Sequence, residues 1–372
     1  MAGNEGGHQR VEIVGKQEPS AAIKLIYESQ KPFVFKGMID HWKASQWTVG
    51  YFCRNFGDLP TTFKVCPIHT VDGSDTKKPV METECVYIEG TFADFIHWLR
   101  GDYGKCASLR QFPRENFSIY IDYKYMKDLM EESPETYRDI DWGTFGFEGR
   151  DGRDSSIWIG SYKAFTPLHK DTYGLNLVAQ LSGKKSWTLF PPKDTLKVYP
   201  TRIPYEESSV FSEVNIKSPD FVKHPEFKDA TGYKAILEAG DVLCVPKHWW
   251  HFVENIEPSV SVNTWIEKES DHFDRLKEAL VRLIVTSMKE SQNCSQISWL
   301  NPNEVAHPHV INVGYVKHAL QSIITNATNS DEQEQHQTIS INTDSILNCL
   351  VSDRVVNAVV DELVSKYNIP TG

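Results

Sequence analysis

Between Ile157 and Glu267 the sequence breaks into short apolar runs separated by turn signals at Ser182-Gly183, Pro191-Pro192 and Gly240-Asp241. Runs of that length suit strands, and their even spacing points to an antiparallel sandwich or barrel. An aromatic share of 12% fits the same reading, because strand-rich proteins use these rings to line cavities. The insertion from Tyr199 to Tyr233 is too long and polar for a hairpin loop and is expected to cover one mouth of the barrel. Helical spacing is confined to the flanks: a short amphipathic run at Ala21–Tyr27, a second at Thr91–Arg100, and a third at Asp271–Lys289 with apolar residues at 273, 276, 280, 283, 284 and 288. Strands are also expected at Lys31–Gly37 and Phe117–Ile121. The chain therefore reads as mainly β with flanking helices and a helical C-terminal region.

A chain of 372 residues has room for one large or two moderate domains. The polar, Gly-rich residues 1–19 are expected to be disordered, and 20–268 to form the main domain around a core at about 118–268. Residues 269–326 read as helical and a possible dimerisation region, 327–340 as a polar linker, and 341–372 as closing helices. A net charge of −11 argues against a phosphate-neutralising surface for nucleic acid. Seven scattered cysteines without a C-x-x-C pair argue for a reducing compartment, and no apolar run is long enough to span a membrane. A cytoplasmic location, or a cytoplasmic and nuclear one, is the expectation.

The chemistry sits in three separated pieces. In Thr166-Pro167-Leu168-His169-Lys170-Asp171, read as strand, His169 and Asp171 project to one face. An imidazole beside a carboxylate supplies two of the three ligands of a 2-His-1-carboxylate triad, which leaves open positions on iron(II). The partner lies in Lys247-His248-Trp249-Trp250-His251, where either histidine suffices by chemistry alone and their odd separation lets one point inward. Between the two, alternation in Lys185-Ser186-Trp187-Thr188-Leu189 puts Lys185 on an otherwise apolar inward face. A buried ammonium needs an anion, and a dicarboxylate cosubstrate would provide one, with Thr166 adding a hydroxyl. The same His/Asp/His set also suits a zinc hydrolase, although Lys185 then has no task.

The ordered set TPLHKD, GKKSWTLFPP, GDVLCVPKHWWH and SVNTW, with KPFVFKGMIDHW upstream, resembles the JmjC domain of the cupin superfamily across about residues 20–268. It is similar to the asparaginyl hydroxylase of hypoxia-inducible factor and to small JmjC-only hydroxylases, including members associated with small heat-shock proteins. The resemblance implies a double-stranded β-helix (jelly roll) and iron(II)- and 2-oxoglutarate-dependent hydroxylation of a protein side chain, with release of succinate and CO2. It implies His169, Asp171 and His251 as metal ligands, with His248 excluded. It implies Lys185 and Thr166 on the distal carboxylate of 2-oxoglutarate, Tyr120 beside them, and Asn176 and Asn263 lining the cosubstrate site. The stretch from Asp171 to Asn176 is one residue longer than in the asparaginyl hydroxylase. Histone lysine demethylation is a further variant. A non-catalytic scaffold for a partner such as a small heat-shock protein is the alternative, and a homodimer is expected from the helix at 271–289.

Overall fold

The computed structural model describes residues 8–68, 78–206, 209–289, 299–329 and 342–366. Among these residues there are sixteen strands: β1 (Gln9–Arg10), β2 (Glu12–Val14), β3 (Phe33–Phe35), β4 (Pro60–Pro67), β5 (Val86–Thr91), β6 (Phe117–Tyr125), β7 (Ser156–Gly160) and β8 (Phe165–Asp171). They continue as β9 (Leu175–Ser182), β10 (Lys185–Phe190), β11 (Pro200–Thr201), β12 (Ser209–Ser212), β13 (Tyr233–Leu237), β14 (Val242–Val245), β15 (Trp250–Asn255) and β16 (Ser259–Ile266). A seven-stranded sheet runs β1-β13-β10-β15-β8-β12-β11, and a nine-stranded sheet runs β2-β3-β14-β9-β16-β7-β6-β4-β5. These are the two sheets of a cupin-type jelly roll, with helices outside them.

Strand alternation explains the layers. On β9, Leu175, Leu177, Ala179 and Leu181 enter the main core, while Asn176 and Val178 face a pocket on the other side. That core continues through Trp42, Trp47, Phe52, Phe95, Trp98 and Trp142, contributed by the helices and 3-10 turns of the N-terminal half. The helix Pro19–Glu28 buries Ala22 and Ile26 there, and Phe92–Arg100 starts on a reciprocal cap between Thr91 and Asp94. The turn from β9 to β10 requires glycine: Gly183 has φ +67, and a Cβ there would lie 2.2 Å from the Pro258 carbonyl oxygen.

Three expectations need correction. Residues 9–14, expected to be disordered, form β1 and β2, which pair in parallel with β13 and β3; residues 1–7 lie outside the described residues. Backbone hydrogen bonds at a sheet edge hold this segment, and of its side chains Val11 alone is buried. The 199–233 insertion extends a sheet through β11 and β12, and it lays Ile216 and Phe227, beside Val198, against Leu168, Trp250 and Phe252 on that sheet's outer face. The helix expected at 271–289 is present as Asp271–Lys289, with Ala279 and Leu283 packed with Val313 and Val316 of the helix His309–Asn329, and Phe273, Ile284 and Met288 exposed. The expected linker at 327–340 begins inside that helix, and from 330 on it lies outside the described residues.

The chain divides into two compact units, Met1–Lys268 with Ser295–Val305, and Glu269–Cys294 with Ala306–Gly372. Among the described residues, no helix is long and apolar enough to cross a membrane.

Candidate metal and cosubstrate site

A pocket lies between the two sheets. β8, β10 and β15 contribute one wall; β6, β7, β9 and β16 contribute the other. All eight residues singled out from sequence line it: Tyr120, Thr166, His169, Asp171, Asn176, Lys185, His251 and Asn263.

At one end, one ligand atom from each of His169, Asp171 and His251 lies within 4.8 Å of the other two. His169 and His251 are direct cross-strand partners on β8 and β15, which brings their ring centroids to 4.1 Å. Their Nε2 atoms lie 3.8 and 4.0 Å from Asp171 Oδ1. Each ring donates its other nitrogen's proton to a carbonyl: His169 Nδ1 to Pro167 at 2.8 Å, and His251 Nδ1 to Trp249 at 3.0 Å. A carbonyl only accepts, so the proton sits on Nδ1 and the Nε2 lone pairs face Asp171. Burial, then the neighbouring His251, push the pKa of His169 down to about 3, which keeps it neutral. Two imidazole nitrogens and one carboxylate oxygen are a donor set that fits a divalent transition metal.

Asp171 is held by a hydrogen-bond relay whose direction follows from its first donor. The Trp158 indole can only donate, and it does so to Asn263 Oδ1 at 2.7 Å. Asn263 Nδ2 therefore donates to Asn176 Oδ1 (2.9 Å), and Asn176 Nδ2 donates to Asp171 Oδ2 (3.2 Å). Trp265 Nε1 donates to the same oxygen at 3.0 Å, leaving Oδ1 turned to the imidazoles. Asn176 and Asn263 thus reach the metal end of the pocket through Asp171.

At the other end Lys185 is 2% exposed. Its Nζ donates to Ser261 Oγ at 2.6 Å and to Tyr120 Oη at 3.1 Å. Among the described residues no carboxylate pairs with it, and burial alone pushes its pKa down to about 7. Tyr120 is in turn hydrogen-bonded with Thr166, and burial raises its pKa, so the phenol stays protonated. Four hydrogen-bonding groups, on Lys185, Tyr120, Thr166 and Ser261, therefore converge on one apolar-walled spot.

The path between the ends is set by register and by two bulges. Lys185 pairs with Asn255 while Leu189 pairs with His251, so the cation is rooted four residues along the sheet, about 13 Å, from the imidazoles. Trp187 fills part of that interval, stacked 5.6 Å from His251. Thr166 and His169 are an odd number of residues apart, yet both face inward. The pairing of β8 with β15 slips between His251 and Val253, so that Pro167 and Leu168 both turn outward. A second slip, on β6 between Ile121 and Lys124, brings Tyr123 (φ +51) to the pocket beside Tyr120.

His248 stands apart. It sits in the turn before β15 with φ +65, and its Nε2 meets the Thr172 carbonyl at 2.9 Å. Ser261, Trp158 and Tyr123 were not singled out from sequence. Ser261 had a signal, since it lies two residues before Asn263 on a strand; Tyr123 had none, because the bulge that turns it inward follows no local pattern.

The cupin-like domain family matches residues 19–272, and the chain belongs to that family, in its JmjC branch. It is 40% identical to HSPB1-associated protein 1 of Bos taurus over 332 residues, 88% of this chain and 68% of that relative. Lysine-specific demethylase 8 of Xenopus tropicalis is 29% identical over 244 residues, 63% of this chain and 48% of its own. The tRNA wybutosine-synthesizing protein 5 of Danio rerio is 30% identical over 264 residues, 68% of this chain and 74% of its own.

Proposed function

We propose that this chain is an iron(II)- and 2-oxoglutarate-dependent oxygenase that hydroxylates a protein side chain. One observation carries the reading: a single pocket has a His/Asp/His cluster at one end and, at the other, a buried lysine that no carboxylate among the described residues neutralises. Such a pocket calls for a ligand that is anionic at both ends. A zinc hydrolase site has no use for the lysine.

In this reading His169, His251 and Asp171 Oδ1 hold the metal, and the relay through Asn176, with Trp265, keeps Asp171 from rotating. Lys185, Ser261, Tyr120 and Thr166 bind the distal carboxylate, and a charge-assisted contact there fixes the cosubstrate's length axis. Trp158, Trp187 and Trp265 wall the pocket and limit water. Iron with 2-oxoglutarate, when bound, supplies the activation of oxygen and the decarboxylation to succinate and CO2.

The test needs no substrate. Metal-free protein titrated anaerobically with iron(II) and then 2-oxoglutarate should develop a visible charge-transfer band. Folded protein that binds neither would sink the proposal. In that case a scaffold for a small heat-shock protein becomes the reading to pursue, since one relative carries the name HSPB1-associated protein 1.

A further inference from the structure

Cys66 and Cys85 lie outside the metal pocket and have no part in the chemistry above. The pairing of β4 with β5 runs through Lys64↔Tyr87 and Val65↔Val86, so the next pair along it is Cys66 opposite Cys85. Cys85 is still extended there, with φ −85 and ψ 156. Neither backbone reaches across to the other. The Cys66 carbonyl accepts from Ser118 Oγ at 3.4 Å on the β6 side, and the Cys85 N–H donates to the Glu82 carbonyl at 3.3 Å. In an antiparallel pair without hydrogen bonds of its own, the Cα atoms approach to about 4.5 Å and the side chains come closest. That separation falls within the range of about 4.4–6.8 Å that a disulfide bridges.

The side chains use this approach. Both thiols are free, and they share a hydrogen bond. Cys66 is buried, whereas Cys85 is partly exposed, so the pair lies one side chain below the surface, within reach of a small oxidant. The hydrogen bond with Cys66, then the burial of its sulfur, hold the Cys85 thiol well above the ordinary value. Cys85 therefore keeps its proton, leaving Cys66 as the sulfur that attacks. Cys66 shares a face of β4 with Lys64, and Cys85 shares a face of β5 with Tyr87. Lys64 and Tyr87 both donate to Glu82, three residues before Cys85, so the thiols adjoin a buried ion cluster.

We propose that Cys66 and Cys85 form a modification site, a thiol pair that hydrogen peroxide converts reversibly to a disulfide, clamping β4 to the turn that carries Glu82. The Cys66 thiolate attacks one peroxide oxygen and the O–O bond breaks. Cys66 becomes a sulfenic acid, and the other oxygen leaves as water with the proton that Cys66 gave up. The Cys85 sulfur then displaces the hydroxyl from Cys66, and its own proton departs with that hydroxyl as a second water. Two thiols lose two electrons and two protons, and one peroxide is reduced to two waters. A thiol reductant restores the pair. The bond closes a loop of about 20 residues, which stabilises the folded state. The site stands independently of the oxygenase reading.

The test exposes the full, metal-free, reduced chain to hydrogen peroxide, alkylates it with N-ethylmaleimide and digests it without reductant. Mass spectrometry should find the Cys66 and Cys85 peptides joined, two hydrogens lighter than their sum, and parted again by dithiothreitol. Oxidised wild type should unfold about 5 °C above the reduced protein. That shift should vanish in Cys66→Ala and in Cys85→Ser, and persist in Cys53→Ser. The joined peptide is read on wild type, so it depends on no variant folding. Full alkylation of both thiols after peroxide, a bridge to a different cysteine, or sulfinic acid in place of the bridge each overturns the proposal. A bridge that leaves the unfolding temperature unchanged overturns the clamp.

Discussion

Two lysines lie against the same tyrosine, equally buried, and differ in the partners that surround them. Lys64 and Lys185 are 1% and 2% exposed, and their Nζ atoms sit 5.4 and 5.3 Å from the Tyr120 ring centroid. Lys64 is gripped by Glu82, both of whose oxygens lie at 3.0 Å, and by Asp122; Tyr87 donates to Glu82 as well. Burial drives the Lys64 pKa down, but Asp122 and Glu82 together more than reverse this and hold it well above the ordinary value. Lys185 has the same burial without the carboxylates, and its pKa falls to about 7. An ion complete within its own protein belongs to the architecture. One left with hydroxyls alone carries an unfavourable charge that a ligand can relieve.

The largest expected effect comes from breaking the complete partner. Lys64→Met strands two buried carboxylates and should lower stability by about 3–5 kcal/mol in urea unfolding. A loss below about 1 kcal/mol would show that the cluster is not the structural ion it resembles.

Lys185→Met should act in the opposite direction on stability and abolish the site's pull on an anion. Replacing an uncompensated buried charge with an apolar chain of similar volume should stabilise the ligand-free protein by about 1–4 kcal/mol. Losing the charge-assisted contact should weaken 2-oxoglutarate by about 2–3 kcal/mol, read by the charge-transfer titration, with iron(II) affinity little changed. A destabilised variant with intact cosubstrate binding would erase the contrast between the two lysines.

Asn176→Ala cuts the relay that orients Asp171 and should lower metal affinity by about 10–100-fold, with the cosubstrate following only through the metal. His248→Ala should leave both affinities in place, since its ring is engaged with the Thr172 carbonyl. If His248→Ala removes iron, the third ligand has been misassigned.

The smallest effect is a titration. Lys185 has a folded pKa near 7, below its unfolded value, so the folded state sheds this proton first. From this group, ligand-free stability rises with pH between about 7 and 10.5, and the advantage of Lys185→Met shrinks over the same window. Binding a carboxylate needs the ammonium, so 2-oxoglutarate affinity should fall about tenfold per pH unit above 7, until the pKa of the complex is reached. A flat profile in wild type would mean that the lysine stays charged without a ligand.

These contrasts also mark what was readable from the sequence. His169 and Asp171 were legible because i, i+2 spacing on a strand fixes a shared face, and Lys185 because alternation placed a charge where apolar residues belong. The choice between His248 and His251 was not legible from chemistry alone; it depends on a turn in which His248 takes a left-handed conformation. Lys64, Glu82 and Asp122 carried no local signal, because their meeting is made by pairing β4 with β6 and by the turn before β5. The N-terminal strands were hidden for a different reason, since backbone pairing at a sheet edge leaves no alternation to find.

The slip in β8 has a consequence for how chains of this kind can vary. A strand with a bulge resembles a reading frame with one tolerated extra letter: Pro167 and Leu168 together occupy the outward turn that one residue would fill. Shortening the stretch by one residue there would leave Thr166 and His169 facing the same space, because the registers on either side are already in phase with it. Length differences at this point are therefore neutral to the pocket. The same change between His169 and Asp171, where no such slack exists, would turn one ligand out of it.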